Sequence, residues 1–300
     1  MKNFALIGAS GYIAPRHMKA IKETGNNLVC ALDPYDGIGI MDSFFPQCDF
    51  FTEPERFDRH LDKLRRKKEQ KIDYVSICSP NYLHDAHIRM ALRNDAHAIC
   101  EKPLVLNPWN LDALQEIEHE TGKKIYTILQ LRLHPAIQQL KKQIEEGPKD
   151  KVYDVDLTYI TSRGKWYFIS WKGDIHKSGG VATNIGVHFF DMLGWIFGEF
   201  KGVELEISQP EKAGGKLYFE KANVKWFLSV DEKDLPAEAV AAHKRTYRKI
   251  NIGGHELEFS DGFTDLHTNS YNDILGGGGF GVEDTRRSIE IVSNLRKIKS

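Results

Sequence analysis

Between residue 1 and about residue 130, short apolar runs alternate with amphipathic stretches, and this pattern restricts the possible folds more than any other feature of the chain. The apolar runs are FALIGAS, NLVCALD, YVSICSP, AHAICEKP and IYTILQL. Between them lie IAPRHMKAIKETG, DRHLDKLRRKKEQK, HDAHIRMALRND and NLDALQEIEHETG, with their charge on one face. Continuously apolar strands separated by amphipathic helices predict a parallel sheet covered on both faces, with right-handed crossovers. The expectation for residues 1–130 is a doubly wound α/β domain of the dinucleotide-binding (Rossmann) kind.

After residue 130 the pattern changes. LRLHPAIQQLKKQIEEG reads as a connecting helix; residues 151–161 alternate polar with apolar residues, and 203–208, 215–231 and 246–259 contain further alternating segments with turn-like breaks such as IGGHE. Alternation marks strands with one wet face. Residues 131–300 are therefore expected to form an α+β domain with a mainly antiparallel open sheet. It would carry a helix over 181–197 and end in the helix VEDTRRSIEIVSNLRKIK, a candidate to pack back on the first domain. GGGG at 276–279 reads as a flexible loop before that helix.

Composition narrows the function. With 41 basic against 42 acidic residues, the net charge of -1 supplies no field that would draw the chain to nucleic acid or to a membrane surface, so a small-molecule partner is expected. The basic run KLRRKKEQK at 63–71 is flanked by acidic residues and reads as a solvated helix face. The start MKNFALIGASG goes directly into a strand without the pattern of a signal peptide, and no apolar run approaches bilayer length. Cys30, Cys78 and Cys100 lie in apolar runs and Cys48 near a loop, with neither metal nor redox spacing. They read as reduced thiols of a cytoplasmic protein that binds no metal.

Chemistry concentrates at the ends of the predicted strands. GASGYIA places Gly8, Gly11 and Ala14 between a strand and a helix, where small residues let backbone N–H groups approach a pyrophosphate. The spacing is GxxGxxA, not GxGxxG, and by itself it suits an ordinary glycine turn equally well. The second strand ends in Asp33, where a carboxylate accepts hydrogen bonds from a ribose 2′-hydroxyl and repels a 2′-phosphate, so NAD is favoured over NADP. Ser79, Pro80, Asn81 and His84 follow the third apolar run. Glu101, Lys102 and Pro103 end the fourth, where burial would lower the lysine pKa toward the range useful for proton transfer. In VATNIGVHFFDML (181–193), read as one helix, Asn184, His188 and Asp191 share a polar stripe that faces either solvent or a site. Finally, Arg163, Lys165 and Lys172 share a loop with Trp166, Tyr167 and Trp171. That loop suits either an anionic ligand with an aromatic-stacking base or an aromatic cluster with surface cations.

In this order, GASGYIA, Asp33, SPNYLH (79–84), EKP (101–103), QLRLHP (130–135) and SGGVATNIGVHFFDML (178–193) resemble the Gfo/Idh/MocA oxidoreductases over essentially the full chain. The resemblance implies a Rossmann domain and a mixed α/β domain, NAD as cofactor, and a homodimer or homotetramer. It places Lys102 and His188 on either side of the sugar carbon that is oxidised. It implies cofactor contacts at Gly8, Ser10, Gly11, Tyr12, Ile13, Asp33, Ser79, Pro80, Asn81, His84, Glu101, Lys102 and Gln130. Substrate contacts fall to Lys102, Arg163, Lys165, Tyr167, Asn184 and His188, with no metal. Many members carry aspartate where this chain has Asn184, which bears no charge but still donates and accepts hydrogen bonds. Within the family the chain resembles the branch that oxidises the 3-hydroxyl of UDP-N-acetylglucosaminuronic acid on the way to diamino-uronic acids of bacterial surface polysaccharide. Other sugar or polyol dehydrogenases, and a non-catalytic NAD-binding regulator, stand as alternatives.

Overall fold

The computed structural model describes residues 1–67, 70–257 and 265–298. The chain divides into two units, one formed by Met1–Gln130 with Asp265–Thr285, the other by Leu131–Thr264 with Arg286–Ser300.

In the first unit β1 (Asn3–Ile7), β2 (Asn27–Leu32), β3 (Asp49–Phe51), β4 (Tyr74–Ile77), β5 (His97–Cys100) and β6 (Ile125–Thr127) make a six-stranded sheet in the order β3-β2-β1-β4-β5-β6. Each adjacent pair is parallel. Strand order 3-2-1-4-5-6 defines the doubly wound dinucleotide-binding fold. The strands are mostly apolar because helices cover both faces. Helix Ala14–Glu23 buries Ala14, Met18 and Ile21, and the helices Pro54–Arg66 and Pro108–Thr121 open on proline, whose fixed φ suits the first turn. Two features go beyond the sequence reading: β3, and a helix Leu266–Leu275 that adds Tyr271 and Ile274 to the core of this unit. The GGGG segment is anchored, not loose: Gly279 N donates to Asp273 Oδ2 at 2.9 Å and Thr127 N to Phe280 O at 2.8 Å.

The second unit holds β7 (Tyr153–Thr161), β8 (Phe200–Ser208), β9 (Lys212–Phe219), β10 (Ala222–Ser229), β11 (Thr246–Ile252) and β12 (His255–Glu256), in the order β12-β11-β7-β10-β9-β8. The sheet is antiparallel except where β7 meets β10, which run parallel. Segment 215–231, expected to hold alternating strands with a break, is most of a hairpin that turns at Glu220–Lys221. Residues 258 and 259 of the expected last strand, and 68 and 69 of the basic run, lie outside the described residues. One face of the sheet packs Val155, Leu157, Leu217, Val224, Trp226 and Leu228 against helices Pro135–Glu146 and Val187–Phe197. The other aligns Asp156, Lys225, Lys216 and Glu204 across four strands.

The run 181–193 is not one helix. Gly180–Asn184 ends at Ile185, and a second helix, Val187–Phe197, starts after Gly186. A Cβ on Gly186 would stand 2.7 Å from the Phe190 ring and 2.8 Å from Leu228, so the break packs closer than any side chain allows. Asn184, His188 and Asp191 therefore do not form the continuous stripe expected of them.

Candidate active site

Register brings the strand ends of the first unit into line. Ile7 pairs with Leu32 and with Ile77, and Ile77 pairs with Cys100. Gly8, Asp33, Cys78 and Glu101 consequently leave the sheet side by side. Gly8 N donates to Leu32 O and Cys78 N to Ile7 O, both at 2.8 Å, while Glu101 N donates to Ile77 O at 3.0 Å. In open α/β sheets ligands bind outside the carboxyl ends of the strands, and GASGYIA, SPNYLH and EKP all start there.

The glycine turn fits a dinucleotide. Gly8 has φ +88, and a Cβ there would lie 2.7 Å from the Cys78 carbonyl and 2.8 Å from Ser79 N. Only glycine lets this turn lie so close to the SPN loop, the kind of tight backbone turn on which a phosphate is held. The Asp33 carboxylate accepts from Ser10 N at 3.0 Å and from Tyr35 N at 2.9 Å, one oxygen each, and each oxygen keeps a lone pair for a ribose hydroxyl. Gln130 offers a buried Oε1 that has no hydrogen-bond partner, a position a ligand donor would satisfy. Ile13 caps helix Ala14–Glu23, while the Tyr12 side chain is 79 % exposed.

Two expected cofactor residues have other work. His84 is buried between the SPN and EKP loops, with Nδ1 at 2.7 Å from Pro103 O and Nε2 at 2.8 Å from Ser79 O, so its N–H donates to one of these carbonyls and both nitrogens face protein. Glu101 points into the interior at 6 % exposure, where Oε1 accepts from His17 Nε2 and His267 Nε2, both at 2.9 Å. Ser79 Oγ lies 2.8 Å from His87 Nδ1, and Pro80 leads into a short turn of helix at Asn81–Leu83 that buries Asn81. Lys102 is half-buried, and the Lys102–Pro103 peptide is cis.

In the second unit Asn184 and Tyr167, both assigned to substrate, come together: Asn184 Nδ2 donates to the Tyr167 hydroxyl at 3.0 Å. Burial raises the pKa of that phenol, against the opposing effects of Asn184 and of the Arg163 charge. Lys165 is exposed, Arg163 is partly exposed, and His188 is half-buried in the first turn of helix Val187–Phe197. Lys172 stands over the rings of Trp171 and Trp166, at 4.4 and 5.6 Å, as an aromatic cluster with a surface cation would have it. Asp191, expected to face solvent or a site, is instead buried against Arg132, whose guanidinium grips both carboxylate oxygens at 2.9 and 2.7 Å. The sequence did hold a signal for this pair, because a carboxylate between Phe190 and Met192 requires a partner.

A family model described as an oxidoreductase family with an NAD-binding Rossmann fold matches residues 2–128, and its companion, a C-terminal alpha/beta domain, matches 141–255. The chain is 50% identical to the WlbA (WbpB) dehydrogenase of Thermus thermophilus, solved with NAD and alpha-ketoglutarate, at TM-score 0.96 over 100% of this chain and 96% of that one. A second structure of that enzyme, with NAD and UDP-GlcNAcA, superposes at TM-score 0.95 over the same shares. The WlbA dehydrogenase of Bordetella pertussis shares the fold at TM-score 0.80 and 17% identity, over 99% of this chain and 94% of that one. Among curated relatives, an inositol 2-dehydrogenase of Rhizobium meliloti is 26% identical over 65% of this chain and 55% of its own length. A D-glucoside 3-dehydrogenase of Escherichia coli is 28% identical over 43% of this chain and 36% of its own length. The chain thus spans about half or less of the length of these curated relatives.

Proposed function

This chain belongs to the Gfo/Idh/MocA family of NAD-binding oxidoreductases, and from that premise we propose that it oxidises the 3-hydroxyl of UDP-N-acetylglucosaminuronic acid to the 3-keto sugar, with NAD as cofactor. The observation that carries the reading is the 50% identity, end to end, with an enzyme whose structure holds NAD and UDP-GlcNAcA. NAD would lie on the turn from Gly8 to Ala14, with Asp33 taking its ribose hydroxyls and Gln130 offering Oε1. When bound, it supplies the acceptor for the hydride that leaves the sugar carbon.

The chain's own residues handle the proton. The family resemblance assigns the proton transfer to Lys102 and His188, one of which would remove the proton of the sugar hydroxyl as the carbon is oxidised. A base so positioned accelerates a reaction by roughly 10²- to 10⁴-fold. Asn184 cannot help by charge, and its bond to Tyr167 makes these two side chains a neutral hydrogen-bonding pair for sugar hydroxyls. Arg163 and Lys165 would meet the pyrophosphate and carboxylate. Lys172 stands over two indoles beside them. The reaction would take place in the cytoplasm, in a homo-oligomer, and feed diamino-uronic acids into lipopolysaccharide O-antigen. A reading as a dehydrogenase of a free sugar or polyol is favoured by the names of the curated relatives.

The test is a substrate panel with purified protein and NAD⁺: UDP-N-acetylglucosaminuronate, UDP-N-acetylglucosamine and free inositol, with and without a 2-oxo acid to reoxidise trapped cofactor. NADH absorbance confined to the uronate is expected. Equal oxidation of inositol would hand the function to the polyol reading. NAD binding with no turnover on any substrate would point to a regulator.

A further inference from the structure

The residue before Lys102 is the centre of a buried network that the reaction above does not use. We propose that His17, His267 and Tyr271 are positioning residues, which hold the end of β5, and Lys102 with it, fixed to the helix that follows the phosphate-binding turn. The proposal rests on the reading of Lys102 as a proton-transfer group.

The hydrogen bonds run in one direction. Glu101 Oε1 accepts from His17 Nε2 and from His267 Nε2, each at 2.9 Å. Burial works against ionisation of Glu101, but these two N–H donors outweigh it and hold the carboxyl well below the usual range. Burial also keeps His17 neutral, so with Nε2–H donating, its Nδ1 must accept. The donor is the Tyr271 hydroxyl at 2.7 Å, and Ser76 Oγ in β4 donates to Tyr271 in turn at 2.5 Å. His267 and Tyr271 stand four residues apart on helix Leu266–Leu275 and present one face to the strand end. His17 lies in the first turn of helix Ala14–Glu23, which the glycine turn opens. The network thus joins β4, β5 and two helices around one carboxylate. All of its members are buried, and the two imidazoles meet edge to face at 5.1 Å.

Two imidazoles and a carboxylate also resemble a metal-ligand set. Their spacing opposes that use. Ligand atoms about 2.0–2.1 Å from a tetrahedral zinc stand roughly 3.3 Å apart, whereas both N···O separations here are 2.9 Å, the length of a hydrogen bond. Positioning fits better, since a displacement of about 1 Å at a catalytic group costs on the order of 10²-fold in rate.

The experiment compares the whole protein with His267→Leu, His267→Gln and Tyr271→Phe in kcat, KM for the sugar nucleotide, Kd for NAD by protein fluorescence, metal content and histidine ¹⁵N shifts. His267→Leu should lose about 10- to 100-fold in kcat, with NAD affinity and KM within about twofold. His267→Gln should recover most of the loss, because its amide N–H reaches where Nε2–H stood. Tyr271→Phe keeps the packing but removes the donor to His17, so the ¹⁵N signal of His17 Nδ1 should shift. Wild-type kcat in His267→Leu, no rescue by His267→Gln, or a loss that tracks NAD affinity overturns the proposal. So does stoichiometric bound metal. Silence of the wild type on the sugar nucleotide would overturn the function alone. The network would then be judged by its ¹⁵N spectrum, in which a His17 that carries a proton on Nδ1 counts against it.

Discussion

Asp191 can sit buried between two apolar neighbours because Arg132 meets it with two parallel hydrogen bonds. Removing one partner leaves a charge stranded in the core, which costs about 3–5 kcal/mol, whereas removing both together costs far less. Urea unfolding should therefore show Arg132→Met well below both the wild type and Arg132→Met/Asp191→Leu; a double variant as unstable as the single one would refute this account. Lys102→Ala belongs to the same scale: turnover should drop by roughly 10²- to 10⁴-fold while NAD still binds, and loss of NAD binding would make the lysine structural. Gly8, Asp33, Lys102 and His188 could be singled out as candidates because each stands at a strand end or interrupts an apolar run. The bonds that join Glu101 to His17 and His267 were not legible, since 84 and 166 residues of chain separate the partners and only the tertiary fold brings them together.

Among the elements, those with a strong period were readable and those defined by an interruption were not. β3 has three residues, too few to show a pattern. The β9–β10 hairpin turns at Glu220–Lys221 without the glycine, proline or asparagine that announces a turn. Alternation reports which face of a strand is wet but not its direction, so the parallel pairing of β7 with β10 left no trace in the sequence. The break at Gly186 did carry a signal, a glycine inside a helical run. Gly186→Ala should lose about 1–3 kcal/mol of stability, because its methyl meets the Phe190 ring and Leu228. A melting temperature equal to the wild type would mean that the two helices can merge without strain.

For the molecule as a whole, acid should be destabilising well before the carboxylates titrate. Burial lowers the pKa of His17 and brings His87 down to about 4, so below pH ~6.5 the unfolded chain takes up protons that the folded chain refuses. Stability is fully present above that pH and is lost as pH falls toward 4, by up to about 3 kcal/mol for His87 alone. Glu101 adds to the loss in the same direction once the pH passes below its unfolded value. Unfolding free energies measured from pH 7.5 to 4.5 should hold level to about pH 6.5 and decline below it, and a flat profile down to pH 5 would show that these imidazoles charge in the folded state.

The first unit is also discontinuous: the chain leaves it at Gln130 and supplies Tyr271 and Ile274 to its core only after Asp265. On the ribosome, then, the sheet that reads as an independent N-terminal domain must wait, on the order of ten seconds at ~5–20 residues per second, before its last core side chains exist. Released nascent chains ending at residue 130 should remain protease-sensitive, and those extended through residue 285 should become resistant. In this molecule the unit whose synthesis begins first lacks its last core side chains until all but the end of the second unit has been made, so its apolar surface stays uncovered through most of translation.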